Sequence, residues 1–225
     1  KGRDTTSSCL KSNGIDITDS KEKANIFNTF FLSHSDIDTS NAQLPNANVH
    51  PQKFSEINVS NEEVIELLKS IDTSKATGPD GISPKLLYEA GTSIAPSLTR
   101  LYNMSFQLSK VPSKWKQANV TPLYKKGDKS DVNNYRPVSL LCCVSKIMEK
   151  IVFKHVFNFV RDENILSEHQ SGFRPGDSTV HQLSYLYHTF CEALDQKKDI
   201  KIVFCDISKA FDKVWQEYLW YSMNK

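Results

Sequence analysis

The chain has 225 residues, 39% hydrophobic, 24% charged and 10% aromatic, which supplies the apolar mass for one or two packed domains and excludes a wholly disordered chain. No stretch approaches the ~18 consecutive apolar residues of a membrane span, and the N-terminus has no short apolar segment of the secretory kind, so no membrane partner is expected. Net charge is only +2, but residues 110–154 hold 10 basic and 3 acidic side chains while residues 1–75 hold 8 and 11, a segregation whose plain reading is a solvated surface.

Five cysteines, Cys9, Cys142, Cys143, Cys191 and Cys205, lack the two-residue spacing of zinc or redox sites. They point to a reducing, intracellular compartment. The first residue is Lys1, as expected of a piece of a longer protein.

In chain order, residues 1–54 are rich in Ser, Thr, Asn and Asp, with one apolar island at Ile26–Leu32 of short-helix character. They read as a linker or weakly ordered extension. Ser60 with Glu63 has the form of a capping box, and Val64, Leu67, Leu68 and Ile71 follow at helical spacing. Gly78-Pro79-Asp80-Gly81 predicts a tight turn. A second amphipathic helix runs from Ile94 to Leu108 and stops before Pro112. Ala118–Tyr124 predicts a strand leading into the basic turn Lys125-Lys126-Gly127-Asp128. Val144–Val160 is apolar on most sides, as in a buried helix. A further helix is predicted over Thr179–Leu194, capped by Asp177 or Ser178, with Lys197 and Lys198 at its negative end. The apolar run Ile200–Cys205 then predicts a strand ending in Asp206. Helices with a few strands give an α+β class.

Residues 204–212 read Phe-Cys-Asp-Ile-Ser-Lys-Ala-Phe-Asp. A carboxylate just past an apolar strand is fixed in place yet reachable by a hard cation such as magnesium. The alternative is an Asp206 that merely ends a strand or caps a turn; for Asp212 the plain reading is a cap for a helix starting near Lys213.

An Asp followed four residues later by Phe, after such a strand, resembles motif A of reverse transcriptases. The ending Ala-Phe-Asp resembles the non-LTR, LINE-type retrotransposon polymerases, as do four upstream blocks in order at residues 75–83, 120–128, 134–141 and 169–179. The resemblance runs from about Ser55 to the end of the chain and implies a right-hand polymerase: fingers-like over residues 55–199 and the start of the palm over 200–225. It implies that Asp206 and the Ile207 main chain hold metal, with two magnesium ions in the complete enzyme. Phe211 falls on the aromatic gate that crowds out a ribose 2′-hydroxyl; a core Phe is its other reading. Lys125 and Arg136 fall on the pair gripping the incoming triphosphate, with Lys126 a substitute for Lys125; without the family frame these are a solvated basic turn. Arg174, with Gln170 and His169 nearby, falls in a Gly-rich loop used against nucleic-acid strands; alternatively Arg174 stacks on Phe173 or Tyr185. The block around Gly78–Ile82 is implied to help hold template, though as plain sequence it is a turn. Implied partners are an RNA template, a DNA primer and deoxynucleoside triphosphates, and the implied location of the complete protein is the nucleus.

The family's chemistry also needs a Tyr-x-Asp-Asp box, and this chain has no Asp-Asp pair and runs only 19 residues past Asp206. As given it is expected to be inactive. The alternative function is a non-catalytic, nucleic-acid-binding remnant; a third is a fragment that neither folds nor binds.

Overall fold

The computed structural model describes residues 9–12, 14–35, 38, 39, 43, 51–207 and 210–223. They fall in two units, Lys1–His155 with Phe211–Lys225, and Val156–Ala210.

In the first unit, β1 (Leu10–Ser12) and β2 (Ile15–Ile17) form a small antiparallel hairpin turning at Gly14. Helix α1 (Ser20–Leu32) follows, its first amides capped by the Asp19 carboxylate. The apolar island predicted at Ile26–Leu32 is the end of this helix. Most of the remaining polar N-terminal stretch lies outside the described residues.

The main core gathers α2 (Asn61–Lys69), α3 (Pro84–Glu89), α4 (Gly91–Gln107) and the first half of α5 (Cys143–Asp162) around Val64, Leu68, Leu98, Tyr102, Ile147 and Ile151. Ser60 caps α2 by accepting from the Glu63 amide. The Glu63 carboxylate turns to α5, where Lys154 Nζ lies 2.8 Å away and His155 Nε2 3.5 Å away. The Tyr102 hydroxyl donates to the Val144 carbonyl at 2.9 Å, satisfying the single polar atom of an otherwise apolar ring. The Asn103 amide both accepts from and donates to the Val59 main chain, as a paired strand would. The predicted burial of α5 holds only as far as Ile151; two residues on, Phe153 is exposed.

Between α4 and α5 lies a two-stranded antiparallel ribbon, β3 (Ala118–Tyr124) and β4 (Tyr135–Leu141), in which Tyr124 faces Tyr135, Leu123 faces Arg136 and Pro122 faces Pro137. The strand predicted at Ala118–Tyr124 is β3. Helices with two small sheets make the described structure α+β.

In the second unit, α6 (Thr179–Asp195) starts at Ser178, whose hydroxyl accepts from the His181 amide, as the capping pattern predicts. None of its residues is buried. The strand predicted at Ile200–Cys205 is not formed: residues 200–207 have no regular structure, and Val203 and Phe204 are 84% and 88% exposed. A β-prone run becomes a strand only when a neighbour takes up its N–H and C=O groups, and no described segment pairs with it. Asp212 is not the cap expected of it, because α7 (Gln216–Met223) begins four residues later. No described helix is long and apolar enough to cross a membrane.

Candidate functional site

Alternation along the β3–β4 ladder sorts its residues onto two faces. Tyr124 and Tyr135 share the inner face, where Tyr135 is buried beside Leu10 and Phe27. Leu123 and Arg136 share the outer face. The Lys125 amide donates to the Asn134 carbonyl at 2.8 Å, which continues the ladder one rung past β3. Lys125 is two residues from Leu123, so the register places it on the face of Arg136, diagonally across the ribbon. Sequence alone separates these two cations by a polar loop; pairing makes them neighbours.

The loop between the strands is pinned by its own side chains. Tyr124 donates its hydroxyl to the Gly127 carbonyl, Asn134 Nδ2 donates to the Asp128 carbonyl at 2.9 Å, and Tyr135 donates to the Lys129 carbonyl at 2.7 Å. Gly127 has φ +95°, and a β-carbon there would lie 2.7 Å from Asn134 Nδ2. The Asp128 carboxylate accepts from the Ser130 amide at 2.8 Å, which holds its acid below the usual carboxylate range. The basic turn is therefore a fixed platform. Lys125, Lys126 and Arg136 are exposed, and among the described residues none lies within ion-pair distance of a carboxylate. Two unpaired cations on one face, one a planar fork and one a mobile point charge, suit an anion with several oxygens.

The turn at residues 78–81 braces the far end of the same ribbon. The Gly81 amide donates to the Gly78 carbonyl at 3.2 Å, closing the predicted turn. A β-carbon on Gly78 would lie 2.5 Å from the Cys142 nitrogen and from the Leu141 carbonyl carbon, so the turn seats directly on the exit of β4. Nothing in the spacing of the sequence signals that contact; a Gly ahead of Pro is the only hint.

In the second unit, Gln170 Nε2 donates to the Gly172 carbonyl at 3.2 Å and Arg174 Nη1 to the Ser167 carbonyl at 3.4 Å. Phe173 stands 89% exposed at φ +61°. His169, Ser171, Asp177, His181, Gln182 and Tyr185 border a shallow pocket of about 230 Å³. Hydrogen bonds from the Ser171 hydroxyl and the Ser178 amide, with His181 nearby, hold the Asp177 carboxyl below its ordinary range.

Asp206 and Ile207 are exposed and lie in the second unit, and Phe211, 83% exposed, lies in the first. Phe211 is thus not the core residue of its alternative reading. Ser208 and Lys209, inside the same motif, are outside the described residues. Among the described residues no three His, Cys, Asp or Glu side chains gather to hold a metal. One exposed carboxylate and one carbonyl do not by themselves make a magnesium site.

Residues 124–225 match the family model described as reverse transcriptase (RNA-dependent DNA polymerase). The chain belongs to the reverse transcriptase family, and its relatives are of the non-LTR retrotransposon type. It is 33% identical over 159 residues to the probable RNA-directed DNA polymerase from transposon BS of Drosophila melanogaster, a match covering 70% of this chain and 18% of that protein. It is 29% identical over 168 residues to the RNA-directed DNA polymerase from mobile element jockey of the same fly, covering 74% of this chain and 18% of that one. A third relative, the Pol polyprotein from type-1 retrotransposable element R1 of Bradysia coprophila, is 32% identical over 120 residues, or 52% of this chain and 12% of its own. The chain thus spans less than a fifth of the length of each of these relatives. The match begins at Tyr124, so it takes in the basic turn, β4 and the Asp206 motif but not β3 before its last residue.

Proposed function

We propose that this segment supplies the fingers, over residues 55–199, and the entry to the palm, over 200–225, of an RNA-directed DNA polymerase, and that the β3–β4 ribbon receives the incoming deoxynucleoside triphosphate. What supports this reading most is the register that puts Lys125 and Arg136 on one exposed face. In it Arg136 offers its fork to phosphate oxygens and Lys125, with Lys126 beside it, neutralises the remaining charge. Arg174 and Gln170, in the loop before α6, contact the RNA template and DNA primer. Asp206 and the Ile207 carbonyl contribute to the metal site of the complete polymerase, and Phe211 meets the sugar of the nucleotide. The complete protein acts inside the cell, in the nucleus.

Titration of the chain with a fluorescent deoxynucleoside triphosphate tests the central point. Binding should weaken with each phosphate removed, with added salt, and on replacing Lys125 or Arg136 by Ala. Affinity indifferent to both substitutions would refute the nucleotide role.

One observation favours a second reading, a nucleic-acid-binding remnant without chemistry: the concentration of positive charge in residues 110–154 beside the lack of an acidic cluster among the described residues. Primer extension by a chain carrying the downstream residues separates the two, since a remnant would bind primed template and extend nothing.

A further inference from the structure

The nucleotide reading leaves open what holds the basic turn in place, because a two-stranded ribbon by itself is marginal in water. Its inner face is covered by residues far upstream. Leu10 on β1 is fully buried, and Phe27 on α1 meets the Tyr135 ring edge-on, with centroids 4.9 Å apart. Phe31 stacks on Phe27 at 5.7 Å, and Tyr124 meets Tyr135 at 5.7 Å. The Lys11 amide donates to the Ser130 carbonyl at 2.9 Å, inside the loop itself. Lys129 Nζ lies 5.4 Å from the centre of the Tyr124 ring.

These contacts form a continuous train. The aromatic rings of α1 fix Tyr135 and Tyr124; the hydroxyls of those two tyrosines hold the carbonyls of Lys129 and Gly127; and the loop so held carries Lys125 and Lys126. None of residues 9–32 falls within the region that matches the family model. We infer that the β1–β2 hairpin and α1 are a clamp for the nucleotide loop, with Phe27 and Tyr135 as positioning residues that set where Lys125 stands without touching substrate. The inference rests on the nucleotide reading for its functional meaning but not for its structural content. It gives the polar N-terminal stretch a role in how tightly the enzyme holds triphosphate.

The test combines amide hydrogen exchange with triphosphate titration on the whole chain. Phe27→Ala should speed exchange at the Lys125 and Asn134 amides about tenfold, the factor that ~1.4 kcal/mol represents, and weaken triphosphate binding several-fold. Exchange at the Tyr102 amide, in the main core, should not change, and Phe27→Leu should restore most of both effects. Tyr135→Phe keeps the ring in place and frees the Lys129 carbonyl, so it should speed loop exchange even if Phe27→Ala folds poorly. Loop exchange unchanged in both variants, or accelerated equally with the main core, would overturn the clamp. If loop exchange responds as expected while Lys125→Ala and Arg136→Ala leave affinity untouched, the clamp stands and the nucleotide reading falls.

Discussion

Gly78 lies so close to Cys142 that a β-carbon on it would come within 2.5 Å of the Cys142 amide nitrogen. The obstacle is backbone on both sides of the contact, which cannot swing aside as a side chain would. Gly78→Ala should therefore lower stability by ~3 kcal/mol, at the upper end of ordinary overpacking costs. Gly81→Ala has open space but φ +71°, and should cost only about 1 kcal/mol. Thermal denaturation of the two variants side by side checks the order; equal losses would show that the seat on β4 is softer than its geometry says.

Burial pushes the Tyr102 phenol well above its ordinary value of 10.0. The folded state thus keeps the proton while the unfolded chain releases it. The sign follows: this group's contribution is fully present below about pH 10 and is lost as pH rises beyond it. The wild type should lose stability above that pH more steeply than Tyr102→Phe. At neutral pH the variant should be less stable by ~1 kcal/mol, since the buried Val144 carbonyl loses its donor. Urea melts at several pH values measure both, and parallel pH profiles would count against the burial argument.

On the nucleotide reading, Lys125→Ala and Arg136→Ala in a polymerase carrying this segment should each raise KM for deoxynucleoside triphosphates about tenfold, as expected for a charge-assisted hydrogen bond of ~1.5 kcal/mol. Arg136→Lys should recover little, because an ammonium cannot present two parallel donors. Steady-state kinetics against each triphosphate would reveal it, and full recovery by Lys would argue for a diffuse field instead of a directed fork.

Asp206→Ala in the same enzyme should cut synthesis about a thousandfold or more, the scale of losing ~4 kcal/mol of charge stabilisation, while primed-template binding changes little. Phe211→Val should admit ribonucleotides more readily by opening space at the sugar. Primer extension with mixed nucleotides reads both. Unchanged selectivity would remove Phe211 from the gate.

What was legible in the sequence was what depends on neighbours along the chain. Ser60 and Ser178 announce their helices by offering an oxygen to an amide three residues on, and both do so in the structure. Ala118–Tyr124 shows its strand character in its own composition. What depends on distant partners was harder to read. Leu10 looks like a stray apolar residue in a polar stretch, and the island that holds Phe27 shows its helix but not what it packs on, because the tyrosine they meet lies about a hundred positions later. Ile200–Cys205 erred the other way: its β-branched residues promise a strand, but no described neighbour completes the hydrogen bonds. In the site, the resemblance of the sequence blocks singled out the cations and the carboxylate, which by residue type alone read as a solvated turn and a strand end, while the shared face of Lys125 and Arg136 emerges only from the pairing of β3 with β4.

The rung at which Pro122 meets Pro137 has one more effect. Because the Lys125–Asn134 rung is hydrogen-bonded, alternation makes the proline rung one whose nitrogens point outward, away from the partner strand. Two tertiary amide nitrogens therefore take nothing from the ladder and leave both outer rims short of a donor at the same level. A foreign strand that tried to zip onto either rim would meet a gap there, so the ribbon resists enlargement into a wider sheet.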